Sequence, residues 1–221
     1  MTGIIFADNT PQEMRDEVLR LAAIWKPRSK TKMVQGHGIN DADYMTQCMT
    51  IYGQWKCSFY VKWYDMLSRV YSSAIHRKRP TYIGSNVHSD WLSFMNFRNW
   101  CLDNGWRSDY ELDKDFISES KIYGPNTCAF IPAKVNSFIT DREAERGSYP
   151  IGVCKFKNKF TSLCCCPITK RREYLGYFDT PEEAHLAWKK RKHEHAIALA
   201  DMYPDLDPRV LDALRNKYKP S

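Results

Sequence analysis

The sequence predicts an α+β protein in which a three-stranded antiparallel sheet packs on a helix in the last third of the chain. Three observations support this prediction. Apolar residues recur at helical spacing in several segments, short extended segments separated by turn residues follow residue 150, and a polar segment, DREAERGSYP, lies between the two patterns. The 221 residues are enough for one large domain or two small ones.

An N-terminal helix is predicted over residues 10–25. Thr10 is placed to cap its N-terminus, with Pro11 at the first helical position and Glu13 completing a capping box. The apolar face of this helix consists of Met14, Val18, Leu21 and Trp25. The basic segment that follows, KPRSKTKMVQGHGIN, is typical of a linker that is either solvated or in contact with phosphates. Residues 1–35 are therefore predicted to be a helix and a basic linker.

The aromatic-rich stretch from about 55 to 140 is predicted to be globular. Two helices are expected there, each with an apolar stripe that belongs in a core. The stripes consist of Trp63, Met66, Leu67, Val70 and Tyr71, and of Trp91, Phe94, Phe97, Trp100 and Cys101. After the turn at Asn104-Gly105, YELDKDFI predicts a short strand, and IYGPNTCAFIPAKVNSFIT predicts a second extended piece and then a helix.

The polar segment at 141–150 marks a predicted domain boundary, and residues 147–221 are predicted to form the sheet-and-helix domain. PIGVCKFKNKF and TSLCCCPITKRREYLGYF supply its three strands. Thr180, Pro181 and Glu183 repeat the capping pattern of residue 10 and predict the start of a long helix. Its predicted stripe consists of Ala184, Ala187, Trp188, Arg191, His195, Ala198, Leu199 and Met202. Asp207-Pro208 predicts the start of a last short helix.

The charge balance favours an anionic partner. Lysine and arginine number 33 against 26 acidic residues, a net charge of +7. No apolar run approaches the ~20 residues of a membrane span. The start of the chain lacks the basic and apolar regions of a signal peptide, so we expect a cytoplasmic protein with no membrane association.

The cysteines and histidines predict neither a disulfide framework nor a zinc site. The eight cysteines show no CxxC spacing, and the three consecutive ones, Cys164 to Cys166, would alternate between the faces of a strand. His195, on the predicted long helix, has no partner at a suitable spacing in the sequence.

The predicted sheet carries a concentration of positive charge. Residues 150–192 contain ten lysines and arginines against four acidic residues. Four of the ten, at 189–192, lie on the helix and are expected to be solvated. The others lie in the strands or their turns and are the candidate DNA contacts: Lys155, Lys157, Lys159, Lys170, Arg171 and Arg172. Because a β-ribbon fits the major groove, double-stranded DNA is the predicted partner, ahead of RNA or a protein.

The last third of the chain also resembles a known family. The segments YPIGVCKFKNKF and EYLGYFDTPEEAHLAWKKRKHEHAIALAD are similar to the apetala-two/ethylene-response-factor type of DNA-binding domain. The resemblance implies a sheet laid in the major groove, with the six basic residues above as contacts. It is weaker over the second strand, where Cys164 to Cys166 replace basic or polar residues.

The middle of the chain resembles the HNH-type nucleases of phage homing endonucleases. The resemblance covers roughly residues 38–140, in WYDMLSRVYS, DWLSFMNFRNW, YELDKDFI and YGPNTCAFIP. It implies a ββα-metal domain over residues 36–142 and metal-dependent cleavage of DNA, with Mg²⁺ as the expected ion. By position, Asp113 and Asn136 would hold the metal, Lys114 would stand at the general-base position, and Asn126 or Thr127 would order the loop.

Lys114 is a departure from that pattern, which has a histidine there. An exposed lysine is a cation at neutral pH and not a base. His88 or His76 could supply the base instead, or Asp113 and Lys114 could form a salt bridge with Asp115 nearby. The sequence therefore predicts a DNA endonuclease, with a non-catalytic DNA-binding regulator or host-factor inhibitor as the alternative. It does not predict a protein partner from the host or the phage.

Overall fold

The structure, a computed structural model, describes residues 3–27, 33–140 and 148–220, and its mixed α and β content confirms the predicted class. The α-helices are α1 Gln12–Ile24, α2 Ser58–Tyr71, α3 Ser73–Lys78, α4 Phe94–Asp103, α5 Ala133–Ile139, α6 Pro181–Met202 and α7 Pro208–Lys217. The strands are β1 Gln47–Thr50, β2 Gly53–Lys56, β3 Asn86–Val87, β4 Tyr110–Asp113, β5 Ile122–Tyr123, β6 Ala129–Pro132, β7 Val153–Phe156, β8 Lys159–Cys165 and β9 Arg172–Phe178. None of the described helices is long and apolar enough to cross a membrane.

The chain divides into two compact units, Met1–Phe130 (unit 1) and Ile131–Ser221 (unit 2). The division falls earlier than the polar segment at 141–150 that the sequence suggests. Residues 141–147 lie outside the described residues, as do residues 28–32 of the predicted basic linker.

The core of unit 1 is aromatic, as the two predicted stripes require. Trp63, Trp91, Phe94 and Phe97 are at most 1% exposed, and the indole N–H of Trp63 donates to the carbonyl oxygen of Trp91 at 2.7 Å. The second stripe does not lie on one helix, however. A 3-10 turn at Ser89–Leu92 precedes α4, and the Ser93 hydroxyl caps α4 by accepting from the Asn96 N–H.

Short strand pairs complete unit 1. β1 and β2 form an antiparallel hairpin that the sequence analysis does not predict, and β3 pairs with β5 in parallel. β4 pairs with β6, the strand in which the unit ends, and α5 follows β6 directly.

Unit 2 contains the predicted three-stranded antiparallel sheet, in the order β7-β8-β9. The predicted capping box at the start of α6 is confirmed, since the Thr180 hydroxyl accepts from the Glu183 N–H and the Glu183 carboxylate accepts from the Thr180 N–H. Asp207 caps α7 as predicted. The buried side chains of these two helices are Ala184, Trp188, His195, Ala196, Leu199, Ala200, Val210 and Leu214.

Candidate nucleic-acid interface

The register of the sheet defines two faces. Val153, Ser162 and Gly176 lie opposite one another on the inner face, which α6 covers. Since side chains alternate along a strand, the neighbouring residues Cys154, Thr161 and Tyr177 lie on the outer face. A bulge between Ser162 and Leu163 shifts the pairing with β9, so that Tyr174 and Arg172 also lie on the outer face.

An exposed aromatic cluster occupies the middle of the outer face. Phe156, Tyr174 and Tyr177 are 48%, 54% and 55% exposed. The centroid of the Tyr177 ring lies 5.6 Å from that of Phe156 and 5.5 Å from that of Tyr174, so the rings form one continuous patch. Such rings offer surface for stacking or for contact with apolar groups. None of these three residues is among the contacts that the sequence predicts.

Basic side chains lie at both ends of this aromatic cluster. At one end, Lys157 is in the turn between β7 and β8 and Lys159 begins β8 on the outer face. At the other end, Lys170 and Arg171 lie in the turn after β8, and Arg172 is on the outer face opposite Cys165. The sixth predicted contact differs. Lys155 pairs with Phe160 on the side of Val153, so alternation places it on the inner face.

Local geometry fixes the two turns that present these charges. Lys157 and Lys170 adopt left-handed backbone conformations, with φ of 53° and 61°. In the longer turn, the Cys166 N–H donates to the Arg171 carbonyl and the Lys170 N–H to the Cys166 carbonyl, both at 2.9 Å. Lys159 is also 3.0 Å from the Asp179 carboxylate in an exposed ion pair, which contributes little stability and can exchange for another anion.

The inner face is joined to α6 by ionic contacts to Glu173. The Arg191 guanidinium donates to the Glu173 carboxylate at 2.6 and 3.1 Å, and the ring of His195 donates to it at 3.0 Å. Hydrogen bonds from Arg191 lower the pKa of Glu173 to about 2, against the opposing effect of desolvation and with help from His195. Glu173 therefore remains a carboxylate throughout the physiological range.

The sequence predicts that the four basic residues at 189–192 of α6 are all solvated, and the structure shows otherwise for two of them. The Lys192 ammonium lies 3.6 Å from the centroid of the Phe138 ring and 5.3 Å from that of Tyr218, and donates to the Phe138 carbonyl at 2.8 Å. Arg191 is paired with Glu173. The prediction of solvation is wrong for both residues, because β9 supplies the partner of Arg191 while α5 and the end of α7 supply those of Lys192, and the sequence of α6 alone cannot reveal these contacts.

Replacement of Lys192 by methionine should alter the pH dependence of stability. Burial, with a smaller effect of Lys217, lowers the pKa of Lys192 to about 8 from its usual 10.5. Between these values Lys192 binds more protons in the unfolded chain than in the native protein. The free energy of unfolding therefore rises as pH rises from 8 to 10.5. The free energy of unfolding of the native protein, minus that of Lys192→Met, should rise by about 2 kcal/mol between pH 7.5 and 10 in urea titrations. A constant difference would show that the rings keep the ammonium charged.

The predicted nuclease residues Asp113, Lys114 and Asn136 differ in their position and in their contacts. Asp113, at the end of β4 in unit 1, accepts hydrogen bonds from the N–H groups of Asp115 and Phe116 at 3.0 and 2.8 Å. Burial raises the pKa of Asp113, while these backbone donors oppose the shift. Lys114 is buried, forms an ion pair with Asp115 and lies 5.6 Å from the centroid of the Tyr123 ring. Asn136 lies on α5, in unit 2.

The two histidines considered as alternative bases differ in their contacts. His76 donates a ring N–H to the Arg69 carbonyl at 2.9 Å. His88 is half-exposed, and its Nδ1 accepts from the Asp90 N–H at 3.3 Å. This contact occupies the Nδ1 lone pair of His88.

Comparison with known proteins finds no relative of this chain. The chain matches no family model, no curated protein and no solved structure.

Proposed function

We propose that unit 2 binds double-stranded DNA through the outer face of its sheet. The observation behind this proposal is the arrangement of side chains there: an exposed aromatic cluster in the middle, with basic residues at either end. Positive charge that is separated in this way matches two phosphate backbones with bases between them.

The dimensions suit the major groove. From Lys159 to Cys165, strand β8 rises by roughly 20 Å at about 3.3 Å per residue, and Arg172 lies opposite Cys165. The major groove is about 12 Å wide, so flexible lysine and arginine side chains at the two ends would reach the phosphates that border it. Phe156, Tyr174 and Tyr177 would then face the base edges, where rings can contact thymine methyl groups.

Salt-dependent binding of a 25-base-pair duplex, measured by fluorescence anisotropy with the full chain, tests this proposal. Lys159→Ala and Arg172→Ala should each weaken binding and reduce the slope of log K against log salt by about 0.9, the value of one phosphate contact. Lys155→Ala is the matched control, because this lysine lies on the inner face of the same sheet. The proposal fails if the slope is flat, or if Lys155→Ala weakens binding as much as Lys159→Ala does.

Single-stranded nucleic acid is the second candidate, favoured by the aromatic cluster alone, since unpaired bases stack on exposed rings. The same titration with single-stranded DNA and RNA of equal length separates the two. If a single strand binds more tightly than the duplex, and Tyr177→Ala loses that binding, the partner of unit 2 is single-stranded nucleic acid and not the duplex.

We also propose that the middle of the chain supplies metal-dependent cleavage of the bound DNA. The order strand, strand, helix in β4, β6 and α5 is the order that a ββα-metal motif requires. Asp113, at the end of β4 in unit 1, would hold Mg²⁺, which would stabilise the charge that builds up on the phosphate. An ammonium in an ion pair is a proton donor, so Lys114 favours weak activity or the non-catalytic alternative.

A further inference from the structure

We propose that Cys166, Glu173 and His195 form a zinc site behind the sheet of unit 2. One sulfur, one carboxylate oxygen and one ring nitrogen from these residues all lie within 4.8 Å of one another. In the part of the chain that the structure describes, they are the only such group of three or more histidine, cysteine and acidic side chains. The site is separate from the outer face, so it does not depend on nucleic-acid binding.

The donor set suits zinc rather than magnesium. Zinc takes thiolate, imidazole and carboxylate ligands at about 2.0–2.3 Å, which places neighbouring ligands of a tetrahedral site roughly 3.3–3.7 Å apart. The ring nitrogen of His195 is already 3.0 Å from the Glu173 carboxylate. The sulfur of Cys166 therefore has to approach by about 1.5 Å at most, and a fourth position is left for water. A soft thiolate ligand selects against Mg²⁺.

The turn after β8 holds the sulfur ready for a metal. Cys166 is 6% exposed, and its sulfur accepts a hydrogen bond from the Thr169 N–H at 3.5 Å. Donors aimed at sulfur favour the thiolate, which is the form that binds zinc. Binding would release the thiol proton to solvent, and the proton on Nε2 of His195 would pass to Nδ1 or to solvent so that Nε2 can bind the ion.

Arg191 would act as an outer partner of the site. Its Nη2 donates to Glu173 Oε1 at 3.1 Å and its Nε to Oε2 at 2.6 Å, so an ion on Oε2 would displace the Nε bond while the Nη2 bond remains. Ligating carboxylates commonly keep such partners. The positive charge of Arg191 lowers the affinity of the site for a cation. The negative charges of the thiolate and the carboxylate are both needed to offset it.

A metal here would join three elements. Cys166 begins the turn that carries Lys170 and Arg171, Glu173 lies on β9, and His195 lies on α6. A bound ion would therefore brace the basic turn against the helix and raise the thermal stability of unit 2.

Titration of the reduced full chain with Co²⁺, followed by displacement with Zn²⁺, tests this inference. We expect one ion per chain, a thiolate-to-cobalt absorption band, and a higher melting temperature with Zn²⁺. Cys166→Ser and His195→Gln should each lose at least about 100-fold in affinity, since even outer partners are worth 10–100-fold. Cys165→Ser is the matched control, because Cys165 is the exposed neighbour of Cys166.

Two outcomes would overturn the zinc site. One is the absence of a thiolate band in the wild type, and the other is equal affinity in Cys166→Ser and Cys165→Ser. Circular dichroism without metal establishes that each variant is folded. If His195→Gln does not fold, the pair of serine variants still decides.

Discussion

Replacement of Gly152 by alanine should destabilise unit 2 by about 3–4 kcal/mol. An alanine Cβ would lie 2.1 Å from Cδ1 and 2.3 Å from Cγ of the Trp188 ring, far inside contact distance. The backbone at Gly152 has a φ of +81°, which alanine adopts only at a cost of about 1–2 kcal/mol. Overpacking adds about 1–3 kcal/mol. The ring cannot easily move aside, because it is 7% exposed and packs on His185 and Tyr218.

Gly105→Ala separates the clash from the backbone strain. Gly105 has a similar φ of +70°, and its added Cβ would meet no described atom within 4 Å. This control should therefore lose only about 1–2 kcal/mol. Urea unfolding followed by tryptophan fluorescence measures both variants. Equal losses would mean that Trp188 moves aside and that the close approach of Gly152 is unimportant.

Lys114→His should increase Mg²⁺-dependent nicking of DNA by about 100-fold or more. A positioned general base contributes roughly 10²–10⁴-fold, and histidine is half neutral near pH 6.5, whereas Lys114 is held in an ion pair with Asp115. Asp113→Ala should abolish nicking in either background, because it removes a proposed metal ligand. Conversion of supercoiled plasmid to the open circle with Mg²⁺ or Mn²⁺ measures the rates.

Asp109→Ala provides the matched control for the nicking assay. This carboxylate is in the same region, is 71% exposed and lies 3.7 Å from Arg107, so its loss should leave nicking unchanged. If Lys114→His binds DNA but does not nick it, the chain is a non-catalytic DNA-binding protein. Nicking that survives Asp113→Ala would assign the cleavage to another site.

The same local pattern gave two different helix starts. Thr-Pro-x-Glu stands at residues 10 and 180, and the capping box forms only at Thr180. At the N-terminus, α1 begins at Gln12 after Pro11, and the Thr10 carbonyl instead accepts a hydrogen bond from Arg15 at 2.8 Å. A cap is worth about 1 kcal/mol, so other contacts of the segment can override it.

The candidate interface was predicted only in part. Charge and strand order pointed to the sheet, and Lys159 and Arg172 do lie on its outer face. The aromatic cluster was missed, although Tyr174 and Tyr177 are visible in the sequence. The bulge between Ser162 and Leu163 is what places both rings on one face, because without it residues three apart on a strand would face opposite sides.

By itself, the sequence determined the class of fold, the order of strands and helix in unit 2, and the cap of α6. These features depend on periodicity and turn chemistry between neighbours along the chain. Only the tertiary structure decided which side chains meet. Cys166, Glu173 and His195 come from a turn, a strand and a helix, and Lys192 is enclosed by rings from Phe138 and Tyr218. Contacts between distant segments depend on how faces pack, and spacing along the chain does not encode them directly.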